Sequence, residues 1–165
     1  MKEEKQKEEI LKILEDNARI SDKEIARMVG MEEDEVKNII SELENRGIIR
    51  KYKAVLNLEK AGIETVQAVI DVKLSPERNT GYDSVAERIS KFPEVKSVRL
   101  VSGEYDLSVR VEGNTMREVA YFVAEKIAPL EQVRNTVTHF LLKTYKENGE
   151  IYEEEEKGKR LAVTL

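Results

Sequence analysis

Apolar residues recur at helical spacing through the first third of the chain. Ile10, Ile13, Leu14 and Ala18 stand at i, i+3, i+4 and i+8, one apolar face of a helix that ends near Asn17. Ser21 with Glu24 three residues on forms a capping box, in which hydroxyl and carboxylate each satisfy an amide left free at a helix start, and it opens a short helix over Asp22 to Val29. Gly30 supplies the positive φ of a sharp helix exit. Val36, Ile39, Ile40 and Leu43 then give a third helix its apolar stripe, which Gly47 ends. Three short helices, the second and third joined by a tight glycine turn, predict a helix-turn-helix, a pattern that a plain three-helix bundle shares.

Further along, the period changes to two. Val66, Ala68, Ile70, Val72 and Leu74 alternate with Gln67, Asp71 and Lys73, a half-buried strand. Pro76 and Gly81 mark a loop, and Val85, Ala86, Ile89 and Phe92 give a short helix closed by Pro93. Val95 to Ser102 and Leu107 to Val111 read as two strands of an antiparallel hairpin around Gly103-Glu104-Tyr105-Asp106. Thr115 and Glu118 make a second capping box, opening a helix that carries Val119, Phe122, Val123, Lys126 and Ile127 and ends at Pro129. Val133 to Tyr145 reads as a long, β-branched final strand.

The fold class is therefore α+β: a helix-turn-helix followed by a ferredoxin-like βαββαβ sandwich with two helices on one face of a four-stranded antiparallel sheet. The expected boundaries are 1–53 for the helical domain, 54–65 for a hinge strand or linker, 66–145 for the sandwich and 146–165 for a tail. The sheet's second face needs a cover, and a second subunit is the expected one. In the tail, Asn148-Gly149 is a two-residue hairpin signal that folds Glu150 to Glu154 back, Glu153 to Glu156 is an acidic run, and Leu161 to Leu165 could add an edge strand.

Composition narrows the chemistry. The 165 residues carry 28 Lys+Arg against 33 Asp+Glu, a formal charge of −5, and no cysteine. Disulfide frameworks, thiolate metal sites and thiol nucleophiles are excluded, and the absence of cysteine suits a reducing compartment. The single His139 excludes a multi-histidine metal site. No apolar run approaches the roughly 18 residues of a membrane span and no secretory h-region follows the charged N-terminus, so the expectation is a cytoplasmic protein without membrane contact, metal or cofactor. Residues 1–53 carry 12 basic and 14 acidic side chains, so any nucleic-acid contact must come from a local patch. One exists: Arg46, Arg50, Lys51 and Lys53 fall within eight residues, and no acid occurs between Asn45 and Leu58. A solvated basic turn has the same composition.

Several fragments resemble the leucine-responsive/asparagine regulator (Lrp/AsnC) family of transcription regulators. Ala18-Arg19-Ile20-Ser21, Glu24-Ile25-Ala26 and Val29-Gly30 resemble its "ARIS…ELA…VG" segment, and Leu43-Glu44 through Gly47-Ile48-Ile49 resemble its "LE..G.I" exit from the recognition helix. Phe92-Pro93-Glu94-Val95 and Val101-Ser102-Gly103-Glu104-Tyr105-Asp106 resemble the "PEV…VTGDYD" of its effector-binding sandwich. The resemblance runs from about Glu9 to Lys143. It implies a winged helix-turn-helix reader of double-stranded DNA, joined by a hinge strand to a ligand-sensing sandwich that forms homodimers and higher assemblies such as octamers.

On that resemblance the recognition helix spans about Glu33 to Asn45 and the wing Ile48 to Lys53. The sequence departs from the family at the helix start, where Glu32-Glu33-Asp34-Glu35 replace the usual small hydroxyl residues. Four acids suit the positive end of a helix dipole, but they also repel phosphate. Lys37, Asn38, Ser41 and Arg46 remain on the helix to touch DNA, with Asn38 able to read adenine and Lys37 guanine or a phosphate, while Arg50, Lys51 and Lys53 track the backbone from the wing.

For the effector, a free amino acid presents an ammonium and a carboxylate, so a site needs an acidic acceptor plus backbone amides or hydroxyls; Asp106, with Gly103 and Ser102 at a hairpin tip where glycine allows close backbone approach, provides that set. Tyr105 could line the pocket or seal a dimer. The resemblance implies a pocket between neighbouring sandwiches, with Thr136 and Thr138 as its far wall; ordinary strand propensity also explains both threonines. Two other functions stay open: an amino-acid-sensing module that no longer binds DNA, and an enzyme on the same fold, since sirohaem decarboxylases resemble this family in both domains. No nucleophile triad, metal cluster or phosphate loop is visible, so the expectation is a regulator and no catalytic residues.

Overall fold

In the computed structural model, which describes residues 2–75 and 81–152, two separate hydrophobic cores form. They belong to two units, Met1–Leu56 and Asn57–Leu165. The boundary falls inside the segment expected as a hinge.

The first unit holds α1 (Lys2–Asp16), α2 (Asp22–Val29) and α3 (Glu33–Asn45). Helix α2 starts where the capping box places it: the Ser21 hydroxyl accepts the Glu24 amide at 3.3 Å, and the Glu24 carboxylate accepts the Ser21 amide at 3.1 Å. It ends at Gly30 with φ 67°, and the Met31 amide returns to the Ala26 carbonyl at 3.0 Å. Helix α3 has Glu33, Asp34 and Glu35 in its first turn, against the positive end of the dipole, and the Glu35 carboxylate accepts the Glu32 amide at 3.3 Å. Ile10, Ile25, Ala26, Val36 and Ile40 form the core, with Leu43 also buried; each large aliphatic side chain removed from water contributes about 1.5–3 kcal/mol.

The second unit runs β1 (Val66–Leu74), α4 (Asp83–Ser90), β2 (Val95–Leu100), β3 (Leu107–Gly113), α5 (Met116–Phe122) and β4 (Val133–Phe140), followed by the short strands β5 (Lys146–Glu147) and β6 (Glu150–Ile151). The sheet order is β2-β3-β1-β4 and every pairing is antiparallel, the arrangement expected. Ala68, Ile70, Val72 and Leu74 of β1 and Leu107, Val109 and Val111 of β3 point to one face, where Val85 and Ile89 of α4 and Val119 and Phe122 of α5 cover them. Phe92 meets the Phe122 ring edge-on at 5.5 Å. Register places Gln67, Val69, Asp71, Ser97, Arg99, Ser108, Arg110, Val137 and His139 on the opposite face, which neither α4 nor α5 covers.

The structure corrects five expectations, the first being that β2 ends at Leu100 rather than Ser102, because the Val101 amide already closes the loop on the Asp106 carbonyl. Residues 54–65 contain no strand: Asn57 Oδ1 accepts the Lys60 amide at 3.0 Å and Gly62 has φ 68°, so local turn chemistry prevails where no neighbouring strand is at hand. Strand β4 stops at Phe140 rather than Tyr145, because its partner β1 begins at Val66; the Leu141 amide still reaches the Gln67 carbonyl, and the ladder with β1 ends there. The last helix widens after Phe122 into a π-helical turn over Val123–Ile127, in which Ile127 is buried and Lys126 is exposed, not part of the apolar face. The Thr115 hydroxyl does cap the Glu118 amide, but the Glu118 carboxylate returns to the Asn114 amide at 2.8 Å, one residue earlier than a capping box requires.

The Asn148-Gly149 turn forms as expected, with positive φ at both residues (49° and 90°), and pairs β5 with β6. The acidic run and the apolar terminus lie outside the described residues, as does Pro76.

Candidate nucleic-acid and effector sites

Burial of Val36, Ile40 and Leu43 turns the opposite side of α3 outward. Lys37, Asn38 and Ser41 are exposed there at i, i+1 and i+4, close enough to act as one polar face. Arg46 is exposed but engaged: its Nη1 lies 3.0 Å from Glu42 Oε1, and the other Glu42 oxygen lies 3.2 Å from Lys7 Nζ of α1. Hydrogen bonds from Arg46 and then Lys7 hold the Glu42 carboxyl below the usual range. Bonds to Glu42 and Glu3 raise Lys7 in turn. The Arg46 guanidinium is therefore already paired with Glu42, which the composition of the patch did not disclose.

After α3 the chain stays close to its helix. The Ile48 and Ile49 amides bond to the Leu43 carbonyl at 2.9 and 3.2 Å, and Ile49 packs against the first core. Arg50, Lys51 and Lys53 follow on an exposed arm without a strand of its own. Tyr52, between two of these bases, donates its hydroxyl to Glu44 Oε1 at 2.8 Å. Sequence reasoning missed this tyrosine, because Tyr52 lies past the end of α3, where no periodicity ties it to a residue on the helix.

At the other candidate site, the loop from Val101 to Asp106 closes with the Val101 amide on the Asp106 carbonyl at 2.9 Å. Gly103 sits at φ 147°, a conformation that side chains disfavour. Ser102 and Gly103 are exposed, and Tyr105 is half-buried. Asp106 is strongly tethered: its amide bonds to Val72 O at 3.0 Å, its Oδ2 accepts the Leu74 amide at 2.8 Å, and Lys73 Nζ lies 3.4 Å from the same oxygen. The carboxylate thus joins the loop to the end of β1.

Thr136 and Thr138 pair with Val72 and Ile70, which places them on the helix-covered face at the β4 edge of the sheet. Strand β1 stands between them and Asp106, so one chain does not bring these threonines together with the loop. Two small cavities lie elsewhere in this unit. One of about 180 Å³ lies between Val111, Gly113, Val119 and Phe122. The other, of about 220 Å³, opens on the uncovered sheet face between Ser97, Arg99, Ser108 and Arg110.

Residues 3–50 match the family model for a winged helix-turn-helix DNA-binding domain, and residues 67–151 match that for the Lrp/AsnC ligand binding domain. The chain belongs to the Lrp/AsnC family of transcriptional regulators. Over 157 residues it is 48% identical to the uncharacterized HTH-type transcriptional regulator YugG of Bacillus subtilis, covering 94% of this chain and 95% of that one. It is also 29% identical over 140 residues to the proline dehydrogenase transcriptional activator of Rhizobium radiobacter, covering 85% and 89% of the two. Among solved structures, the transcriptional regulator NMB0573 of Neisseria meningitidis, in complex with L-Met, superposes with a TM-score of 0.69 at 26% identity, over 87% of this chain and 92% of that one. This Lrp/AsnC member is thus a transcriptional regulator with a DNA-binding and a ligand-binding domain. Among its described residues no helix is long and apolar enough to cross a membrane, and no group of three His, Cys, Asp or Glu side chains could hold a metal ion.

Proposed function

We propose that this regulator binds specific double-stranded DNA as a cytoplasmic homodimer, and that an amino acid changes its DNA affinity or its assembly. The observation that carries the DNA reading is the outward face of α3, with Lys37, Asn38 and Ser41 together, followed directly by the exposed basic arm of Arg50, Lys51 and Lys53. Asn38 and Lys37 have the donors and acceptors that read base edges, Ser41 suits either a base edge or a phosphate, and the arm supplies phosphate contacts. Arg46 joins them once phosphate displaces it from Glu42. A twofold dimer then requires half-sites spaced by about one helical turn or a multiple of it.

For the effector, Ser102, Gly103, Tyr105 and Asp106 present backbone amides for a carboxylate and a carboxylate for an ammonium. Asp106 Oδ1, 3.5 Å from Lys73 Nζ, is the oxygen that a ligand ammonium would take over. Thr136 and Thr138 would line such a pocket only from a neighbouring chain. The L-Met bound by the Neisseria relative supports an amino acid as ligand class. Support for a dimer, with higher assembly built on it, comes from the uncovered sheet face, where Val69 and Val137 lie half-buried beside charged groups.

The second reading, a sensor without DNA binding, draws on the four acids at the start of α3 and on the pairing of Arg46 with Glu42. One experiment separates the two: a gel shift on the DNA upstream of the protein's own gene, with and without each amino acid. Retarded complexes whose amount changes with one amino acid support the first reading; no complex at low salt, alongside amino-acid binding in calorimetry, supports the second.

A further inference from the structure

The arm that follows α3 is anchored at both of its ends. Ile49 is fixed by its amide on Leu43 and by the core it packs against, and three residues later the Tyr52 hydroxyl is fixed on Glu44 of the same helix. Arg50 and Lys51 span the interval between the anchors, exposed to solvent. A flexible arm must be ordered when it binds, whereas an arm already held in place loses less freedom.

We infer that Tyr52 is a positioning residue for DNA binding, its hydroxyl holding Arg50 and Lys51 beside the recognition helix before DNA arrives. The inference rests on the DNA-binding reading of the arm given above. A hydrogen bond onto an ionised carboxylate is among the stronger kinds, and Tyr52 makes it while 43% exposed as a residue. Burial of the ring and the neighbouring Glu44 carboxylate push the phenol up to about 12, so the hydroxyl keeps its proton and remains a donor across the neutral range. The role needs Tyr52 in particular, because phenylalanine would preserve the ring and lose the bond.

Fluorescence anisotropy provides the test, using a labelled duplex from the DNA upstream of the protein's own gene and a scrambled duplex of equal length. Tyr52→Phe should weaken binding to both duplexes about three- to tenfold. The slope of log K against log salt should stay unchanged, because every positive charge is retained. Arg50→Ala/Lys51→Ala should lower both the affinity and the slope, and adding Tyr52→Phe to that variant should change nothing further. Glu44→Gln, whose side-chain carbonyl still accepts the bond, should bind at least as well as wild type.

A general packing role for Tyr52 gives another pattern, with equal losses in both backgrounds and a lowered melting temperature, and that pattern overturns the inference. So does a silent Tyr52→Phe, or a loss in Glu44→Gln as large as in Tyr52→Phe. If Arg50→Ala/Lys51→Ala itself leaves affinity and slope untouched, the arm reading fails and takes this inference with it; a responsive arm with a silent Tyr52→Phe sinks the inference alone.

Discussion

A phenol that is partly withdrawn from water and donates to a carboxylate gives up its proton late. Partial burial, then the bond to Glu44, push the Tyr52 phenol up to about 12, from 10.0 for a free side chain. A raised value means the bond to Glu44 contributes fully below about pH 10 and is lost as pH rises through about 12. An ultraviolet titration should show a late-ionising phase that Tyr52→Phe removes. Asp106 makes the complementary case. Its side chain is only 16% exposed and its Oδ2 satisfies the Leu74 amide, so Asp106→Ala should destabilise the second unit by about 1–3 kcal/mol in urea unfolding. Asp106→Asn keeps an acceptor and should unfold nearly as wild type; if it also binds an amino acid with undiminished affinity in calorimetry, the charge has no part in a ligand site. Asp106 was legible in the sequence as a polar residue at a hairpin tip, but its partner was not, because Leu74 lies 32 residues away and no local pattern links the two.

Elements were more legible than their partnerships. The capping box of Ser21 and Glu24, the exit at Gly30 and the stripe of Val36, Ile40 and Leu43 all depend on residues within one or two turns of each other, and each stands in the structure where its pattern put it. What periodicity could not supply was the environment of an element. The end of β4 is set by where β1 begins, and the outward turn of Lys126 by a helix that widens over Val123–Ile127. The local devices carry measurable stability. Ser21→Ala should cost the first unit about 1 kcal/mol. Gly30→Ala should cost about 1–2 kcal/mol, since a Cβ at φ 67° meets no neighbouring side chain but strains the backbone. Thermal melting followed by circular dichroism reads both, and a Gly30→Ala variant as stable as wild type would contradict the left-handed exit.

For the whole molecule, the second unit has its own core, so residues 57–165 should fold when expressed alone. If its uncovered sheet face is the dimer contact, that fragment should sediment as a dimer. Val69→Lys/Val137→Lys, which buries two charges in such a contact, should give a folded monomer in analytical ultracentrifugation. A fragment that is monomeric at micromolar concentration without these changes would assign the cover of that face to another part of the chain. Glu147 at the start of the C-terminal hairpin already reaches this face, its Oε1 lying 2.7 Å from Arg110 Nη1 while Gln67 Oε1 accepts from Nη2 at 2.8 Å.

That hairpin also sets a chemical lifetime. An asparagine followed by glycine is where the backbone amide most readily attacks the side-chain carboxamide, expelling ammonia to give a succinimide that opens to aspartate or isoaspartate. Asn148-Gly149 is such a pair, and it forms the two-residue turn that aligns Lys146 with Ile151 and Glu147 with Glu150. Isoaspartate would add a methylene to the main chain inside that turn, shift the short ladder out of register and slacken the Glu147–Arg110 pair. Stored preparations should accumulate the deamidated peptide, faster at alkaline pH, as peptide mapping by mass spectrometry would show. Asn148→Asp would slow this ageing while keeping a residue that tolerates positive φ.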